Sequence, residues 1–261
     1  MKLCFSTLGC PDWDITQVAQ NAAAYGFDGV ELRIRDDRHV DPALTKNERA
    51  HIKDMFAARG VDIPIISGYT TFYGSDPTRL KENEDKLIIN AELAADLGVK
   101  YVRTFIGELG AFTEVGAQYL HAAGNRAAAL GVTVLVEIHD VINSGKKAAE
   151  LIDMVNSPGV AILWDIHHSL RDGESPQDTW RHVGAHIRHV HIKDADAAHN
   201  LCLMGEGVLP VPAIIKLLAE KNFDGFLSFE WEKMWVPSLP NPEIALPHYL
   251  AYMRELVKAA R

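Results

Sequence analysis

Cysteine is scarce in this chain: Cys4, Cys10 and Cys202 are the only three among 261 residues. An odd, sparse count builds no disulfide framework and offers no paired zinc spacing. It fits a reducing compartment, and the cytoplasm is the expected location. Positive charge is also short, with 26 Lys and Arg against 35 Asp and Glu and a formal net charge of −9. Nucleic-acid affinity rests largely on Lys and Arg neutralising phosphates, so no nucleic-acid partner is expected. No run approaches the roughly 20 apolar residues that a membrane helix needs, so no membrane partner is expected either. The opening Lys2-Leu3-Cys4-Phe5-Ser6 reads as a strand and lacks the basic head and small-residue cleavage site of a signal peptide. A Gly-rich phosphate loop is missing as well. Gly9-Cys10-Pro11-Asp12 stands where an open doubly wound sheet would carry Gly-x-Gly-x-x-Gly.

What is present is alternation. Short β-type runs over 2–6, 29–34, 62–67, 101–106, 133–138, 160–165, 187–192 and 226–231 are interleaved with helical patterns over 14–25, 79–97, 115–130, 148–155, 211–221 and 244–260. The sixth crossover is the least regular, with a short helix expected over 179–184. Gly26, Gly60, Gly98 and Gly131 punctuate helix-to-strand joints, where a left-handed residue is wanted. Hydrophobic residues make up 48% and charged residues 23%, an ordinary globular balance. Eight alternations with short joints predict an α/β fold, a (β/α)8 TIM barrel forming a single domain over 1–261. The Pro-rich stretch 237–242 reads as a loop after the last strand, long enough to cover a site.

Four polar side chains end four successive apolar runs: Glu137, Asp165, His191 and Glu230, at spacings of 28, 26 and 39 residues. A strand, a helix and two loops occupy about that much chain. In a parallel barrel these residues would meet at the C-terminal mouth, where such folds carry their chemistry. A single acid at a strand end often only caps the next helix. Four in a row, each set in apolar sequence, are costly to bury together unless a cation compensates them. Three carboxylates and one imidazole suit one divalent ion, Mn²⁺ or Mg²⁺ first, with Co²⁺ and Zn²⁺ also admitted. Nearby, His168 is positioned to bond a substrate oxygen, with a structural role for His167 beside it. His139 shares the strand face of Glu137. Lys193 is a further candidate to bind or protonate substrate, with a solvated lysine as the alternative. Arg103 and Glu31 are candidates to line the cup and bind substrate, each with pairing to a neighbour as the alternative. Trp231 or Trp235 would supply an apolar wall or pack beneath the Pro-rich loop. Gly205-Glu206-Gly207 is either a turn close to the site or a plain turn.

These residues carry a family resemblance over essentially the whole chain. The carriers are Gly26-Phe27-Asp28-Gly29-Val30-Glu31-Leu32, Leu97-Gly98-Val99-Lys100-Tyr101-Val102-Arg103, Val136-Glu137-Ile138-His139, Trp164-Asp165-Ile166-His167-His168, His189-Val190-His191-Ile192-Lys193-Asp194, Gly205-Glu206-Gly207 and Ser228-Phe229-Glu230. The chain resembles the xylose isomerase-like barrels grouped as sugar phosphate isomerases/epimerases, which include ketose 3-epimerases, hydroxypyruvate isomerase and inosose dehydratase. The resemblance implies that Glu137, Asp165, His191 and Glu230 are the metal ligands. It implies that Glu137 and Glu230 are also the acid/base pair, on opposite faces of a bound sugar, and that His168 binds substrate. Epimerases of this group often place an Arg six residues after the metal His, and Ala197 stands there instead.

The expected chemistry is proton transfer beside a carbonyl of a sugar, phosphorylated or free, or of a polyol ketone, through a metal-bound enediolate. Proton return to the neighbouring carbon isomerises and return to the opposite face epimerises. Loss of a β-hydroxyl dehydrates, making a lyase such as an inosose dehydratase the main rival. An endonuclease IV-type repair enzyme would need a three-zinc cluster fed by more His at early strand ends. A non-catalytic sugar-binding barrel is the non-enzyme alternative. Barrels of this size commonly pair, so a homo-oligomer, dimer or tetramer, is expected.

Overall fold

The computed structural model describes residues 1–34 and 39–260. Its eight barrel strands are β1 (Lys2–Ser6), β2 (Gly29–Arg33), β3 (Ile66–Thr71), β4 (Tyr101–Phe105), β5 (Thr133–Glu137), β6 (Val160–Asp165), β7 (Ile187–Ile192) and β8 (Phe226–Phe229). Each pairs in parallel with its sequence neighbour, and β1 pairs with β8, so the barrel closes. A small antiparallel hairpin, Asp194–Ala195 with Leu201–Cys202, follows β7. The helices are α1 (Ile15–Tyr25), α2 (Lys46–Ala57), α3 (Pro77–Leu97), α4 (Glu114–Ala129), α5 (Gly145–Val155), α6 (Ile166–Arg171), α7 (Pro176–Val183), α8 (Val211–Glu220) and α9 (Pro242–Ala259). None of the described helices is long and apolar enough to cross a membrane.

Three elements depart from the sequence expectation. The third strand begins at Ile66, four residues later than the apolar run 62–67 suggests. Pro64 interrupts that run and brings no N–H to a ladder, so only an isolated bridge from Asp62 to Gly29 forms before it. The helix α2 was not expected at all. Its buried face is narrow, with only Ile52 and Phe56 fully covered, so its apolar periodicity is faint. Its local signal was the capping box, in which Thr45 and Glu48 exchange bonds between side chain and backbone. The short helix α6, which follows β6 directly, was also not anticipated.

The barrel interior is layered by the two-residue period of its strands. Ile65, Leu135, Ala161 and Leu163 form an apolar plug. One pleat nearer the C-terminal ends, β5 and β6 present Glu137 and Asp165 in place of Leu135 and Leu163. The register sets Asp165 beside His191 and His191 beside Ser228. The larger core lies outside the barrel wall, between strands and helices.

The ring of helices sits close where glycines meet. A Cβ on Gly159 would fall 2.1 Å from the Gly124 carbonyl oxygen on α4, and one on Gly124 would fall 2.5 Å from Val160 Cγ2. Gly159→Ala is therefore expected to destabilise the protein by about 1–3 kcal/mol, the usual range for overpacking. Thermal unfolding checks this, and an unchanged midpoint would show that α4 shifts freely.

Candidate active site

Glu137 and Asp165 are the last residues of β5 and β6, His191 is the penultimate residue of β7, and Glu230 directly follows β8. All four are buried, and one ligand atom from each lies within 4.8 Å of the others. His191 Nδ1 stands 3.0 Å from Glu137 Oε1, 3.3 Å from Glu230 Oε1 and 3.9 Å from Asp165 Oδ2. Asp165 divides its oxygens. Oδ1 caps α6, accepting from the backbone N–H of His167 at 2.8 Å and of His168 at 3.4 Å. Helix capping is thus true of one oxygen only. The other, Oδ2, is buried and accepts no hydrogen bond. Lys193 Nζ is 2.9 Å from it, an ion pair outside hydrogen-bond angles.

The remaining candidates fall into three groups. Arg103 does both things open to it. Its Nη1 contacts Glu137 Oε2 at 3.0 Å and Glu230 Oε1 at 3.2 Å, and it lines the cleft. The guanidinium also lies over the ring of Phe105, 4.5 Å from the centroid. Lys193 is fully buried, with Nζ 2.5 Å from Glu230 Oε2 and 2.9 Å from Glu232 Oε1. His139 and His168 form a pair at the mouth, ring centroids 4.0 Å apart, with His139 bonded to Asp140 through Nδ1. His168 Nε2 lies 4.0 Å from Asp165 Oδ2. Glu31 is placed elsewhere. It is completely buried one layer deeper, and its carboxylate is taken up by Ser67, His189, His191 and Ser228. Of its two readings, pairing is the one the geometry realises.

The cleft above the quartet encloses about 460 Å³ and is walled by Tyr69, Phe105, His139 and Trp235 among others. A second pocket of about 380 Å³ adjoins it, sharing Glu108, His139 and Asp140 and reaching His168. The two tryptophans separate. Trp235 is 56% exposed at the cleft. Trp231 is buried and donates its indole N–H to the Pro240 carbonyl beneath the Pro-rich loop. Gly205 and Gly207 wrap their backbone N–H groups onto the Asp194 carboxylate, at 2.9 and 3.1 Å. A Cβ on Gly207 would meet Asp194 Oδ1 at 2.1 Å, which explains that glycine as part of a turn. His167 is buried with no hydrogen bond at its Nε2, and burial lowers its pKa to about 4. Sequence reading passed over His189, Ser67 and Ser228 beneath the site. His189 had a signal, since it lies two residues before His191 and so shares its strand face.

Electrostatics around the quartet are strongly coupled. Burial pushes the Asp165 carboxyl up, but Lys193, His168 and His191 outweigh it and hold it at about 2. Burial likewise opposes ionisation of Glu230, while His191, Lys193 and Arg103 bring it well below the carboxylate range. Burial disfavours the charged imidazole of His191, yet Glu230, Glu31 and Glu137 raise it well above the usual histidine value. Among the described residues, Glu137, Asp165, Glu230 and Glu232 face two permanent cations, Arg103 and Lys193, and the raised imidazole of His191. That excess of carboxylate, the oxygen-rich donor set and the unbonded Asp165 Oδ2 fit a hard or borderline divalent ion.

A family model described as xylose isomerase-like TIM barrel matches residues 19–256. The chain is 22% identical over 256 residues to fructoselysine 3-epimerase from Escherichia coli O157:H7, covering 90% of this chain and 92% of the relative. It is 24% identical over 266 residues to inosose dehydratase 1 from Bacillus cereus, covering 87% of this chain and 84% of the relative. Among solved structures, the IolI protein with a bound zinc atom superposes with a TM-score of 0.81 at 18% identity, over 100% of this chain and 99% of that one. The sequence relatives are thus enzymes, epimerases and dehydratases.

Proposed function

This chain belongs to the xylose isomerase-like TIM barrel family, and we propose that within it the protein is a divalent-metal-dependent isomerase or epimerase of a small sugar or polyol ketone. One observation carries the reading: four buried ligand atoms from four consecutive strands within 4.8 Å of one another. The zinc held by a structural neighbour and the carbohydrate substrates in the names of relatives support it.

Glu137, Asp165, His191 and Glu230 would hold the ion, which when bound polarises a substrate carbonyl and stabilises the negative charge that develops there. The chain supplies the rest. One carboxylate of the pair Glu137 and Glu230 removes the proton beside the carbonyl, and the same or the opposite one returns it. Arg103 Nη1, in contact with both, keeps the two carboxylates converged and faces the cleft. His139 and His168 lie where substrate hydroxyls would be bonded. Tyr69, Phe105 and Trp235 wall the cleft with aromatic surface against which the carbon skeleton of a substrate would lie. Burial disfavours the charge of Lys193, but Asp165, Glu230 and Glu232 around it raise it well above the ordinary lysine value, so it holds its proton and tethers those carboxylates. Dehydration, with the same first step, is the second reading, because Ala197 is exposed where an epimerase Arg is often found.

Ketoses and inososes incubated with the protein in deuterated water test this. Deuterium at a single carbon of one substrate is expected, and the product separates epimer, isomer and dehydrated ketone. Binding of a panel member with no exchange at any C–H position would support a binding barrel instead.

Metal affinity should also depend on pH. Before the ion binds, His191 carries a proton on the Nδ1 that faces the quartet, because its value is raised above the ordinary one. The ion displaces that proton, so affinity falls as pH falls, by about tenfold per unit while His191 stays charged in the metal-free protein. Calorimetric Mn²⁺ titrations at several pH values check the slope. A flat profile would exclude proton displacement.

A further inference from the structure

Beneath the quartet, Glu31 forms the centre of a second buried cluster with His189 and His191. Glu31 Oε2 lies 3.0 Å from His191 Nε2, 3.1 Å from His189 Nε2 and 2.8 Å from Ser228 Oγ, and Ser67 Oγ bonds Oε1. An ionised carboxylate only accepts, so each of these partners donates to it. Its acceptor sites are filled from three strands, β3, β7 (twice) and β8, with Glu31 itself on β2. A cation is not required to compensate it, which argues against a second metal at this level.

We propose that Glu31 is a positioning residue for the metal centre. By accepting from His191 Nε2–H, it fixes the imidazole edge-on between floor and quartet and leaves Nδ1 as the atom that meets the ion. The opposite edge of the same ring is the one 3.0 Å from Glu137 and 3.3 Å from Glu230. The anchor is rigid, because Glu31 is itself tied to Ser67 and Ser228 and the whole group is buried. A carboxylate behind a ligating imidazole sets ring orientation and strengthens the ligand, and losing such a partner commonly weakens metal binding about 10- to 100-fold. His189 donates to the same oxygen and packs edge-on against His191, ring centroids 5.7 Å apart, but hydrogen-bonds no residue of the quartet, so it serves as an internal control for packing of the floor.

The inference rests on the metal reading above, and the two fail differently. Mn²⁺ binding is measured by calorimetry on the metal-stripped full chain, for wild type, Glu31→Gln and His189→Gln. Glu31→Gln is expected to bind about 10- to 100-fold more weakly, and His189→Gln within about threefold of wild type. Equal affinity of Glu31→Gln and wild type overturns the positioning role. So does equal weakening in both variants, since general disruption of the floor would then explain the loss. A wild type that binds no Mn²⁺ overturns the metal reading itself. Should Glu31→Gln not fold, histidine-selective ¹⁵N spectra of the Zn²⁺-loaded wild type decide. An N–H on His191 Nε2 with Nδ1 ligated is expected, and the reverse assignment overturns the proposal.

Discussion

Glu137→Gln and Glu230→Gln are each expected to lower turnover by about two to four orders of magnitude, the usual size of a general-base contribution. Glutamine keeps the shape of the side chain and removes the group that takes up the proton. In the proposed site both carboxylates would also ligate the ion, so the substitution should weaken metal binding as well as proton transfer. Turnover must therefore be compared at saturating Mn²⁺, where the remaining deficit belongs to the proton step. Arg103 adds a structural cost to either change. It contacts Oε2 of Glu137 and Oε1 of Glu230, so a neutral amide at either place leaves a buried guanidinium with one charged partner fewer. Thermal unfolding of each variant separates loss of fold from loss of chemistry. A variant that folds, binds Mn²⁺ and keeps more than half of wild-type turnover would remove that Glu from the mechanism.

Complete loss of activity after chelation, and its return with Mn²⁺, is the second expected result. The physical basis is the charge imbalance of a buried site. Three carboxylates of the quartet lie together with Glu232 nearby, and one oxygen of Asp165 accepts no hydrogen bond. In the metal-free protein Lys193 and Arg103 stand against these oxygens, and the ion would supply the Lewis acid on which the proposed proton transfer depends. Because the ion binds the folded chain, it should also stabilise it, by about 2.7 kcal/mol at a free concentration 100 times its dissociation constant. The midpoint of thermal unfolding thus reads binding without any substrate. Elemental analysis should find one divalent ion per chain, whereas three zinc ions would favour the endonuclease IV-type alternative. Undiminished activity in metal-free protein would end the metal hypothesis.

Much of the barrel is legible in the sequence. Seven of the eight strands lie within two residues of the apolar runs at either end, because parallel strands buried on both faces read as continuous hydrophobic stretches. The third is displaced because the run 62–67 contains Pro64, and backbone hydrogen bonding overrides hydrophobicity there. The helix α2 escapes because only Ile52 and Phe56 anchor it, while the rest of its surface is polar. The quartet is legible for a topological reason. In a barrel of this type, residues at the ends of consecutive strands are neighbours in space whatever lies between them.

Placement within the mouth is a different matter. Glu31 and Arg103 look alike in sequence, each a charged residue in an apolar run, yet one is sealed beneath His191 and the other opens onto the cleft. Trp231 and Trp235 separate in the same way. What the chain determined alone is the order of strands and the set of side chains delivered to one end, because the strand period and the closure of eight parallel repeats leave little choice. Which of those side chains meet the cavity, and which hold its neighbours from behind, was decided only by the tertiary structure. Depth along the barrel axis depends on register between strands, and register is fixed by hydrogen bonds that no single segment contains.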